Sequence, residues 1–169
     1  MGSGSRYSYS GTSSGSQPYA ETYNVVPEVL NKDKKDPDIY DKNEGYFSNP
    51  TAVSLESAIY GNRVIFNSYN AHGKYTYVMD KNGNIIFGKR YNPNDINKRS
   101  PHPTLIGGKN PQVQCAGIIE MSKGKIMNID NMSGHFKPHH KSLNKVYDVL
   151  HKLHESNPSI FSTRFQWRK

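Results

Sequence analysis

Sulfur and long apolar runs are what this 169-residue chain has least of. Its one cysteine, Cys115, excludes a disulfide within the chain, and the absence of Cys pairs argues against a structural zinc site. Cys115 lies in an apolar strand pattern, which predicts a buried small hydrophobe rather than a nucleophile. No apolar stretch is long enough to span a bilayer, and none resembles the h-region of a signal peptide, so no membrane partner is expected. The Met1-Gly2 start lacks the myristoylation pattern, because Arg6 stands where Ser or Thr is required. Hydrophobic residues make up only 34% and mean hydropathy is −0.82, which predicts that part of the chain stays unpacked.

Acidic residues are scarce in one half. Residues 1–84 carry 8 Lys and Arg against 9 Asp and Glu, whereas residues 85–169 carry 14 against 5. A basic surface on the second half would attract a phosphate-bearing ligand or nucleic acid. Residues 1–20 are Gly/Ser-rich and without period, as in a flexible linker. Polar residues and prolines continue to Pro50, with Val25, Val26, Val29 and Leu30 as apolar anchors. Residues 1–48 are therefore expected to form an irregular arm, and residues 49–169 a single domain.

Within that domain Thr51–Tyr60 reads as a short helix, N-capped by Asn49 or Thr51 and stopped by Gly61. Arg63–Tyr69 has strand character. Lys74–Asp80 and Ile85–Lys89, joined by Asp80-Lys81-Asn82-Gly83-Asn84, form a hairpin pattern. Tyr91–Arg99 reads as a polar loop. Val113–Met121 and Lys125–Asp130 flank a Lys123-Gly124 turn and predict a second hairpin. Leu143, Val146, Tyr147, Leu150 and Leu153 share one face of a helix that Ser142 can cap and Pro158 ends. The tail from Ile160 alternates and predicts an edge strand or a docking segment. Together these elements predict an α+β fold: a largely antiparallel sheet with one long C-terminal helix packed on it.

His102 to Pro138 is the densest stretch in Gly, His and hydroxyl residues. Gly107 and Gly108, near Lys98, Arg99 and Lys109, are candidates for an anion nest. Ser133-Gly134-His135 is a candidate acid–base turn, with His102 as its spatial partner. Glu120 and Asp130 are the carboxylates placed to orient a histidine or act as base. No carboxylate or Cys stands in ligand spacing with His135, His139 and His140, so no metal is expected.

The order of these motifs is familiar. A hairpin precedes His102-Pro103-Thr104-Leu105-Ile106-Gly107-Gly108, Ala116-Gly117 opens a strand, and Ser133-Gly134-His135-Phe136-Lys137-Pro138 precedes a helix. Over Tyr75 to Leu153 this resembles the C-terminal domain of the plant IQM calmodulin-binding proteins and related bacterial domains at the ends of secreted toxins or effectors. The family usually has His-Ser-Ser-Phe at the first motif and Tyr in place of Phe136. No IQ-type helix precedes the domain here, so calmodulin binding is not carried over. The resemblance implies a shared fold and a toxin or effector domain, secreted or delivered into a target cell as part of a longer protein, with a protein target or a cognate immunity protein as partner.

Three chemistries remain open at this level, and the first is favoured because the family's Ser-Gly-His-Tyr pattern suits an aromatic stacker. An ADP-ribosyltransferase-like enzyme would use NAD, with His102, His135 and one of Glu120 or Glu155 as catalytic candidates. Thr104 would hold the ribose, Phe136 would stack on nicotinamide, and Ser133, Gly107 and Gly108 would complete the cofactor site. A metal-independent ribonuclease would use His102 and His135 for acid–base work and Lys137 to steady the phosphorane. A non-catalytic module would grip a partner with its Gly/His face.

Overall fold

Alternation of side chains along the two longest strands builds two separate apolar layers, one on each face of the sheet. The computed structural model describes residues 16–92 and 95–167. In chain order the elements are β1 (Tyr23–Asn24), α1 (Pro27–Asp33), β2 (Tyr40–Asp41), β3 (Gly45–Tyr46), β4 (Val53–Ser54), β5 (Ile59–Tyr60) and β6 (Arg63–Phe66). They continue with β7 (Tyr69–Asn70), β8 (Gly73–Asp80), β9 (Ile85–Gly88), β10 (Tyr91–Asn92), β11 (Asp95–Arg99), β12 (Gln112–Ser122), β13 (Lys125–Ile129) and α2 (Leu143–Ser156).

The main sheet runs β1-β12-β8-β9-β4, and all its pairs are antiparallel. The long β12 pairs with β8, with β1 near its start, and with β13 near its end. Tyr75, Tyr77 and Met79 of β8 and Cys115, Ile119 and Met121 of β12 face one side. There α2 covers them with Leu143, Val146, Tyr147 and Leu150. This is the predicted α+β architecture. Both predicted hairpins are present, as β8–β9 and β12–β13.

The opposite face takes Val78, Val113 and Ala116, and its cover is the N-terminal arm. Tyr23, Val25, Ile39, Tyr40 and Tyr46 are all buried there with Leu105 and Phe136. The expected loose arm is therefore corrected for residues 16–48, because they supply half of the second layer. A fully buried apolar side chain contributes roughly 1.5–3 kcal/mol, so five of them hold this segment firmly. Hydrogen bonds add register: Tyr23 Oη meets Ser142 Oγ at 2.8 Å, and Lys145 Nζ donates to the carbonyls of Ala20 and Glu21. Residues 1–15 of the expected linker lie outside the described residues.

Two other expectations change. Thr51–Tyr60 is not a helix: Val53 pairs with Phe87 at the sheet edge, and a 3-10 turn, Glu56–Ala58, leads into β5. An unpaired β9 edge favours a strand partner over an isolated turn of helix. Tyr91–Arg99 closes as the β10–β11 hairpin. Of the two readings of the tail, the docking segment is the one formed, with Phe161, Phe165 and Trp167 packed among His151, His154 and Tyr147.

Candidate acid–base site

Helix α1 begins at Pro27, which suits a first helical position because its missing N–H has no partner there, and ends at Asp33, buried at 3% exposure. The Asp33 carboxylate does not pair with a surface lysine of its own helix. Its Oδ2 accepts from Tyr46 Oη at 2.6 Å and from His135 Nε2 at 3.0 Å. Burial pushes this carboxyl up. The bonds from His135 and Tyr46 and the charges of His135 and Arg99 outweigh that effect and hold it below the ordinary 3.8. Burial and the adjacent carboxylate push the Tyr46 phenol far up, so it remains a donor.

An ionised carboxylate accepts, so His135 Nε2 carries a proton, and in the neutral form of the ring the lone pair is on Nδ1. Nδ1 makes no hydrogen bond among the described residues. The His135 side chain keeps 14% of its surface exposed. It lines a cleft of about 390 Å³ with Gly134, Lys32, Asp33, Asp36 and Arg99. A base oriented by a buried carboxylate, in a cleft lined by Lys32, Arg99 and Asp36, has the parts of a proton-transfer site. Two backbone bonds fix the turn: Val26 N–H donates to the His135 carbonyl at 2.8 Å, and Lys137 N–H to the Ser133 carbonyl at 2.8 Å.

His102 is placed differently. It is buried, with Nε2 2.7 Å from the Gly117 carbonyl and Nδ1 3.3 Å from Ser133 Oγ. A carbonyl only accepts, so Nε2 carries the proton and Ser133 donates to Nδ1. Burial pulls its pKa down to about 4. A neutral, doubly bonded imidazole ties the His102 loop, β12 and the Ser-Gly-His turn together. The expected single cleft lined by both histidines is therefore replaced by one open histidine and one internal bracket.

The other cofactor candidates are also committed internally. Thr104 Oγ1 donates to Pro101 O at 2.6 Å, and Phe136 is fully buried in the second layer. Ser133 is engaged with His102 and with Phe136 N–H. Gly107 N–H donates to the Pro103 carbonyl and Gly108 N–H to the Tyr46 carbonyl, so neither glycine offers a free donor for an anion nest. Their φ values of 83° and 84° explain why glycine stands there: the chain turns left-handed to meet β3. Lys137 is absent from the His135 cleft, where Lys32 and Arg99 supply the cations. Glu120 opens instead into a separate cleft with Lys74, Arg90, Asn128 and Asp130.

Asp33, Tyr46 and Lys32 were not legible as site residues, and Arg99 was legible only as a cation near the Gly107-Gly108 turn. Asp33 is 102 positions from His135 and sits in a mixed-charge run where a solvated carboxylate is the ordinary expectation. No family model, no curated protein and no solved structure matches this chain.

Proposed function

We propose that the chain is a toxin- or effector-type enzyme that cleaves RNA by acid–base chemistry, with His135 as the general base. The observation that carries this reading is the pairing of His135 Nε2 with the buried Asp33 carboxylate in a cleft that His135 lines together with Arg99, Lys32 and Asp36. In the reaction, His135 Nδ1 removes the proton of a ribose 2′-hydroxyl. The 2′-oxygen bonds to phosphorus as the P–O5′ bond breaks, and water protonates the leaving 5′-oxygen. Arg99 and Lys32 balance the charge that builds on the phosphorane. The products are a 2′,3′-cyclic phosphate and a 5′-hydroxyl. The surplus of Lys and Arg in residues 85–169 favours a polyanionic substrate. Delivery into a target cell and a cognate immunity protein are part of the proposal through the resemblance to toxin C-terminal domains.

ADP-ribosyl transfer is the second reading, favoured by the open Glu120 carboxylate. It ranks lower because Phe136 has no exposed face for nicotinamide and the Thr104 hydroxyl is already bonded. Total RNA incubated with the protein in EDTA should yield cyclic-phosphate ends. His135→Gln and Arg99→Met should each slow cleavage by roughly 10²–10⁴-fold at unchanged near-UV circular dichroism. Intact RNA would overturn the proposal, and transfer of label from NAD to lysate protein would put the second reading in its place.

A further inference from the structure

The second cleft, on the part of the sheet that the arm leaves uncovered, has its own chemistry. Glu120 of β12 lies directly across from Lys74 of β8 and from Asn128 of β13, so three polar side chains form one row over three strands. Arg90, two residues after β9, and the half-exposed Ile118 complete a space of about 270 Å³. Lys74 and Glu120 are register partners, yet neither they nor Arg90 form an ion pair among the described residues. Asp130, on the wall, spends Oδ1 on the N–H groups of Ile118 and Met132. The cleft is therefore polarised: cations on the β8–β9 side, an unpaired carboxylate and an amide on the β12–β13 side, and an apolar residue beside them.

We infer that this cleft binds a nucleoside 5′-monophosphate unit, and the inference does not depend on the acid–base reading of His135. A phosphate suits Lys74 and Arg90. The ribose hydroxyls suit Glu120 and Asn128, since a carboxylate accepting from the 2′-hydroxyl is a common means of ribose recognition. The base rests against Ile118. Size decides between one nucleotide and a whole dinucleotide. Small-molecule sites run from about 300 to 1,000 Å³, and this one, at about 270 Å³, lies just below that range, so it takes no more than a single nucleotide.

Calorimetric titration of the full chain with AMP, 2′-deoxy-AMP and inorganic phosphate tests this. AMP should bind saturably, and the 2′-deoxy compound and phosphate should each bind at least tenfold more weakly. Glu120→Ala should bring AMP down to the affinity of its 2′-deoxy analogue. Lys74→Met should weaken both nucleotides alike. Lys74 is exposed and Glu120 half-buried, so thermal midpoints should stay near that of the parent chain, and His135→Gln should bind AMP normally. Absence of AMP binding, phosphate binding as tightly as AMP, or unaltered binding in both cleft variants would each overturn the inference. Failure of the parent chain to cleave RNA, with AMP binding intact, would count against the His135 proposal alone.

Discussion

At the scale of single residues, the site depends on which nitrogen of His135 holds the proton. Asp33 fixes this by accepting at Nε2, and Tyr46 steadies the carboxylate by donating to the same oxygen. Asp33→Asn can rotate its amide to donate to Nε2, which moves the ring proton to Nδ1 and removes the base. The rate of RNA cleavage should then fall by about 10²–10⁴-fold, with KM little changed. The pH–rate profile should lose its basic-limb plateau, a change that a merely structural role for Asp33 would not produce. Tyr46→Phe removes one neutral-to-charged hydrogen bond, commonly about 1.5–3 kcal/mol, but leaves the tautomer intact. Its cleavage defect should be at least tenfold smaller than that of Asp33→Asn. Equal defects in the two variants would show that general rigidity, not the tautomer, is what the pair supplies.

At the scale of elements, local signals told the truth about hairpins and, beyond the anchors Val25, Val29 and Leu30, said little about the arm. The β8–β9 and β12–β13 pairs were legible because alternating apolar residues and a glycine-bearing turn lie within one short window. Tyr23, Val25, Ile39, Tyr40 and Tyr46 follow no period, and each finds its partner on a strand or turn far along the chain. The same holds for the site: His135 was visible as a residue, but its orienting carboxylate came from the arm. His102 was equally visible, and its role was misjudged because sequence cannot show that the Gly117 carbonyl awaits it. The crossing of elements at Gly117 explains that placement. A Cβ there would stand on the Asp130 carbonyl and carboxylate, so only glycine lets the end of β13 cross β12. Gly117→Ala should cost about 1–3 kcal/mol, a fall of roughly 2–12 °C in thermal midpoint for a domain of this size. A Cβ on Gly134 would meet nothing nearby, so Gly134→Ala should stay within about 0.5 kcal/mol of the parent. A differential scanning measurement giving the reverse order would refute this packing account.

At the scale of the whole molecule, one buried histidine ties the His102 loop to β12 and to the Ser-Gly-His turn, and this makes stability sensitive to mild acid. His102 titrates near 4 when folded against an ordinary 6.5. Between those values the unfolded chain takes up the proton and the folded one does not. Stability is therefore undiminished above pH 6.5 and declines as pH falls toward 4, at up to about 1.4 kcal/mol per pH unit. Asp33 acts in a lower window. Its folded value lies below 3.8, so its contribution is present above 3.8 and is lost as pH falls through the folded value. Urea unfolding at pH 7 and pH 5 should show a loss of about 2 kcal/mol attributable to His102. His102→Gln is the matching variant, because its amide can still donate to the Gly117 carbonyl but cannot take up a proton. That variant should be less sensitive than the parent between pH 7 and pH 5 by the same 2 kcal/mol, approximately, whatever its stability at pH 7. Identical pH slopes in the two proteins would mean that His102 opens to water before the chain unfolds. In that event the bracket between the arm-covered layer and the sheet would be a local, breathing contact.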